Sequence, residues 1–205
     1  MRGSATMSER QPVTGDTLRQ AAQTSAAVLG PLVDRNWRKR AFRMTWSCRF
    51  TLDHVLNCLA WYAHDIAGEV TGLDGAARAG APRASITDLL SSLCPLAEVL
   101  ALVCEGKPAT ARGLHSWGVA DPEGFLAMGS IEVSLHTWDI VMALDPERAN
   151  DAVAPEVAAL LVPRLFPDAP CDADPVGTLL YATGRAALAD RPRLTQWQWH
   201  SAPVD

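Results

Sequence analysis

Lysine is almost missing from the 205 residues: only Lys39 and Lys107 occur, so arginine supplies nearly all the positive charge, and the formal net charge is −5. Phosphate binding needs a concentrated basic face, so no nucleic-acid partner is expected. The one locally basic stretch, from Arg35 to Arg49, reads as a solvated surface segment. No uninterrupted apolar run approaches the ~20 residues that span a bilayer, and no N-terminal signal pattern is present, so no membrane partner is expected. The five cysteines at positions 48, 58, 94, 104 and 171 form no C-x-x-C pair, and their odd number suggests no disulfide framework. Reduced thiols in a cytoplasmic compartment account for them. Strand-like alternation is absent before the C-terminal tail, and there is no internal repeat or domain boundary. Abundant alanine beside scarce lysine matches the bias of proteins from high-GC bacterial genomes.

What is present is helical periodicity. Residues 1–7 read as an expression leader and 8–205 as one domain. A first helix is expected from Thr14 or Asp16 to about Asp34, with Pro31 kinking its last turn. Trp37, Phe42 and Trp46 should pack over the end of the helices. A second helix from Ser47 to about Gly68 is apolar over much of its circumference and should be central. Gly68 to Arg83 reads as a loop. Thr87 is expected to cap a third helix that reaches about Val103, with a kink or break at Pro95. Gly106 to Ala120 reads as a further loop. Asp121-Pro122-Glu123 combines an N-cap, a proline at the first helical position and an acid in the first turn, so a fourth helix should run to about Leu144. Short helices follow from Pro155 and from Asp174-Pro175, and the tail with Trp197 and Trp199 should be extended. The expected class is all-α, an up-down four-helix bundle with additional short C-terminal helices.

The chemistry gathers on the fourth helix. Glu132 and His136 are four residues apart, so both side chains share one face, and Asp139 follows on the same side. His54 lies on the second helix. If the two helices are neighbours, His54, Glu132 and His136 form an open three-ligand site for a divalent metal, with positions left for water or substrate. Two imidazoles and a carboxylate suit zinc, and also nickel, iron or cobalt. Spacing alone leaves another reading open: a Glu–His pair is often a plain helix contact, and a lone histidine on an apolar helix is often a hydrogen-bonded core residue. Cys58, one turn beyond His54, either faces the same cavity or is a small buried thiol. His115 and Trp117 are candidates for a pocket mouth.

Three segments resemble a known family. Trp46-Ser47 followed by His54-Val55 resembles the entry to the second helix of DinB-like proteins. Gly129, Glu132, His136 and Asp139 match the G-x-x-E-x-x-x-H-x-x-D signature of the mycothiol-dependent maleylpyruvate isomerases. Leu179 to Arg185, followed by Trp197 and Trp199, resembles the end of that family's N-terminal domain. The resemblance implies a DinB-like bundle with zinc on His54, Glu132 and His136, and mycothiol or a related low-molecular-weight thiol as cofactor. It implies thiol transfer to, or isomerisation of, a small electrophilic substrate. Asp139 matches a position beside the metal, where it would orient a ligand or handle a proton, unless it is a helix-surface acid. Arg185 would bind a carboxylate or complement a helix dipole, and Arg83 would help an anionic ligand or stay solvated. The family's small C-terminal α/β domain is not matched, which argues against maleylpyruvate itself. Two alternatives remain: a thiol-independent metal-dependent hydrolase or cyclase, and a non-catalytic metal-containing binding or regulatory protein. The partners expected are a small-molecule substrate and at most a second copy of the chain.

Overall fold

The computed structural model describes residues 10–69, 80–170 and 174–204. The leader at 1–7, most of the loop expected over 68–83, and Cys171 lie outside the described residues. The described chain is mainly helical.

Helix α1 covers Gly15–Leu29, α2 Cys48–Ala67, α3 Ile86–Glu105, α4 Pro122–Leu144, α5 Pro155–Leu165 and α6 Pro175–Ala182. α1 stops at Leu29, and Pro31 is taken into a 3-10 turn over Gly30–Leu32 rather than bending a helix that reaches Asp34. Proline has no N–H to continue the ladder. The following segment crosses the helix ends. Trp37 is buried and donates Nε1–H to the Leu32 carbonyl at 2.9 Å, and the Phe42 N–H bonds the Asp139 carbonyl at 2.8 Å.

Ser47 caps α2 by accepting the Phe50 N–H. The cap of α3 is Ser85, which corrects the expectation of Thr87. Ser85 Oγ accepts the Asp88 N–H at 3.1 Å, and Asp88 Oδ2 accepts the Ser85 N–H at 3.0 Å. The deciding feature is an acid three residues after a serine, a reciprocal pair that Thr87 cannot form. Pro95 lies inside α3 without interrupting it. Among the described residues α3 is the only helix long and apolar enough to cross a membrane, a test that core helices also pass; it packs along both α1 and α2.

The expected loop from Gly106 to Ala120 contains a small antiparallel hairpin, β1 Gly113–His115 with β2 Gly118–Ala120. Three-residue strands are too short to show alternation, so only the glycines hinted at it. Gly118, at φ +128°, closes the two-residue turn. Gly113 lies so close to α2 that a Cβ there would meet the Asp65 carbonyl oxygen at 2.9 Å. The hairpin thereby rests directly on α2.

α4, rather than α2, is the central helix. Nineteen of its 23 residues are buried, with α1, α2, α3 and α5 packed around it. Asp121 caps it by accepting the Gly124 N–H at 2.7 Å, with Pro122 in the first turn, as the sequence implied. A helix covered on every side carries no polar stripe, so every polar group along it needs an internal partner. The tail runs back over the hairpin. The His200 N–H bonds the Leu165 carbonyl at 2.7 Å, Arg164 Nη1 donates to the His200 carbonyl at 3.1 Å, and Ser201 Oγ donates to the Trp117 carbonyl at 3.1 Å. Arg164 is fully buried and also bonds Asp121. These contacts hold Trp199 in a buried position.

Candidate metal centre

α2 and α4 pack against each other, and this brings His54 to the Glu132–His136 face. The ring centroids of His54 and His136 are 5.3 Å apart. His54 Nε2 lies 3.5 Å and His136 Nε2 3.1 Å from the same oxygen, Glu132 Oε2. One donor atom from each residue lies within 4.8 Å of the others, so the three could hold a metal ion.

The chemistry of this donor set can be tested against an ion. Glu132 Oε2 is buried and accepts no hydrogen bond, although both nitrogens are close. Contact without hydrogen-bond geometry is what converging ligand atoms show when their lone pairs aim at a common point. Bonds of about 2.0–2.1 Å in tetrahedral array separate ligand atoms by roughly 3.3–3.4 Å, and 3.1 and 3.5 Å bracket that value. With one donor atom from each residue within 4.8 Å of the others, the three could close on a small divalent ion.

The far side of His136 is also committed. Its Nδ1 is 3.0 Å from Asp139 Oδ2, and Asp139 accepts two bonds from Arg185, Nε to Oδ1 at 3.0 Å and Nη2 to Oδ2 at 2.7 Å. The Asp139 side chain is 2 % exposed. A carboxylate on Nδ1 keeps that proton in place and turns Nε2 toward Glu132, the arrangement that would support a metal-bound imidazole. Asp139 is therefore a buried positioning residue, and Arg185 spends its guanidinium on Asp139. Arg83 is exposed and stands outside the cavity walls that meet the cluster.

Electrostatics agree with the geometry. Burial works against the Glu132 carboxylate, but the two imidazoles outweigh it and hold the group well below the ordinary carboxylate range. Burial likewise opposes the His136 imidazolium, yet Asp139 and Glu132 raise its pKa to about 9. Without an ion, the site is thus an anionic oxygen beside a protonated imidazole.

Two cavities meet at Glu132. One, of about 220 Å³, also touches His54 and Cys58 and is walled by aromatic rings. The other, of about 320 Å³, touches His136 and carries Arg43, Arg185 and Arg193. Trp46 packs on the His54 ring at 4.8 Å between centroids. Cys58 Sγ is 3.4 Å from His54 Nε2 but does not join the three-ligand group. Tyr62, a buried residue of α2, also lines the smaller cavity: its hydroxyl is 3.3 Å from His115 Nε2. Burial, with Glu132 and Cys58 nearby, pushes its pKa well above the usual value. A signal was available, because His54, Cys58 and Tyr62 follow at four-residue steps on one face of α2.

Comparison with protein-family models, curated proteins and solved structures finds no match.

Proposed function

We propose that the protein is a metal-dependent enzyme of the DinB-like type, acting with a low-molecular-weight thiol such as mycothiol on a small electrophilic substrate, by thiol transfer or isomerisation. The observation that carries this reading is Glu132 Oε2, buried without a hydrogen bond between two imidazole nitrogens and bordered by two cavities. His54, Glu132 and His136 would hold the ion, with zinc favoured by the donor set. Three protein ligands rather than four leave room for a thiol or substrate, as catalytic sites require and structural sites do not. A bound divalent ion favours thiolate over thiol and so supplies a nucleophile at neutral pH.

The protein's own residues do the rest. Asp139, locked by Arg185, keeps the Nδ1 proton of His136 in place and orients Nε2. Trp117, Trp197 and Trp199 contact one another in the wall of the larger cavity and give the substrate an aromatic surface. The Tyr62 hydroxyl, hydrogen-bonded to His115 and close to Glu132, can give a proton to a developing anion and recover it. That pair also favours a second reading, a thiol-independent hydrolase or cyclase in which water takes the open position. The DinB-like four-helix bundle, a cytoplasmic location, and a monomeric or homodimeric state belong to the same proposal.

Elemental analysis of purified protein, with mass spectrometry for a co-purified thiol, tests it. About one divalent ion per chain is expected, lost in His54→Ala and in His136→Ala. Turnover that survives removal of both metal and thiol refutes the mechanism. Turnover that needs metal alone selects the second reading.

A further inference from the structure

The two cavities at Glu132 have opposite character. The larger one carries three arginines. Among the described residues the smaller has no lysine or arginine in its wall, which includes Trp61, Tyr62, His115, Trp117 and Trp199 together with Asp65. Asp65 is 6 % exposed. Its Oδ1 meets Nδ1 of the exposed His64 at 3.0 Å, and no arginine or lysine pairs with it among the described residues. With Glu132 engaged by an ion, Asp65 is the carboxylate left to set the charge of this cavity.

From this arrangement we infer that the smaller cavity binds the cationic end of the substrate, an organic ammonium group. Aromatic faces carry the negative part of the ring quadrupole and attract a weakly hydrated cation. The Trp117 and Trp199 rings are 4.5 Å apart, and His115 lies 5.9 Å from Trp199, so the wall is continuous. Its orientation is fixed: the Trp117 N–H donates to His115 Nδ1 at 3.2 Å, which places the ring proton on Nε2, facing the Tyr62 hydroxyl. A volume of about 220 Å³ accommodates a trimethylammonium group with part of its chain. A neutral aromatic ligand would use the same walls but would leave the buried carboxylate paired only with the exposed His64. An ammonium seated here would direct the remainder of its molecule toward the Glu132 side of the cluster, so the inference names the substrate class for the metal site proposed above and rests on that reading for its catalytic meaning.

Binding can be read without turnover. The full-length, metal-loaded protein is titrated at constant ionic strength with choline and with its uncharged isostere 3,3-dimethylbutan-1-ol, following tryptophan fluorescence. Choline should give a saturable change with affinity about tenfold or more above the isostere, the size expected of a desolvated cation–π site. Asp65→Asn should remove that preference while leaving the isostere's affinity and the metal content unaltered, and Trp199→Leu should weaken both ligands. Equal affinity for choline and isostere, or no saturable response to choline, overturns the inference, and the wild-type comparison decides it even if Asp65→Asn fails to fold. Choline preference in a chain that holds no metal would refute the metal-enzyme reading and leave the ammonium site standing.

Discussion

Metal binding at this centre must displace a proton, and the structure says which one and over what pH range. In the metal-free protein His136 Nδ1 lies 3.0 Å from Asp139 and Nε2 lies 3.1 Å from Glu132, so both ring nitrogens face carboxylates and the imidazolium persists up to a pKa of about 9. A metal needs the Nε2 lone pair, so the proton on Nε2 must leave, while the one facing Asp139 stays. At pH 7 the imidazolium outnumbers the free base by about a hundred to one, which weakens apparent affinity by about a hundredfold, or ~2.7 kcal/mol. Affinity should therefore rise about tenfold per pH unit from pH 7 toward 9 and then level off. The sign follows from the raised pKa: the protonated form, which competes with the metal, dominates below about 9 and fades above it. Calorimetric zinc titration in two buffers of different ionisation enthalpy measures the proton count, and a competing chelator measures affinity at each pH. One proton released per ion at pH 7 is expected. An affinity that is flat between pH 7 and 8.5 would refute the reasoning, as would a His136→Ala variant that binds zinc with the same pH dependence.

The other predictions concern the supports of the site and fold. Asp139→Asn should loosen the metal by about 10–100-fold, and should also lower stability in urea, because Arg185 would keep a mostly buried charge without its partner. Arg164→Met should cost about 3 kcal/mol and red-shift the fluorescence, since Arg164 ties His200 to the start of α4 and so keeps Trp199 buried. Ser85→Ala should cost about 1 kcal/mol of unfolding free energy while Thr87→Ala costs almost nothing, which separates the observed cap of α3 from the alternative.

Much of the helical order was legible because helices announce their ends locally. Asp121-Pro122 and Asp174-Pro175 put the cap and first residue of α4 and α6 within two positions, and both starts agree with the structure. Ser85 was legible too, but only by weighing Asp88 three residues on rather than the nearest threonine. The hairpin was not, because six strand residues held partly by contact with α2 carry no period of their own. Nor could periodicity identify the central helix. α2 and α4 are both rich in apolar residues, and only the count of neighbouring helices shows that α4 is the one enclosed. Of the site, the spacing of Glu132 and His136 was local and readable, and the convergence of His54 depended on α2 and α4 being neighbours.

The pairing of Asp139 with Arg185 shows why an enclosed helix changes the meaning of its polar residues. On a solvent-facing helix Asp139 would be one exposed acid among many, and its loss would cost little. On α4 its side chain is shut away from water, so the charge persists only because Arg185 reaches it across 46 positions of sequence and His136 meets it from one turn before. Each partner then constrains the next: the guanidinium fixes the carboxylate, the carboxylate fixes the imidazole, and the imidazole meets Glu132 at the distance that metal ligands share. Glu132 Oε2 is where this chain of satisfied groups ends without a hydrogen bond. Along the same helix Ser130 Oγ donates to the Leu126 carbonyl and Thr137 Oγ1 lies beside Ser25 Oγ, whereas Glu132 Oε2 is left to the two imidazole nitrogens, the place where a divalent cation could replace the His136 proton.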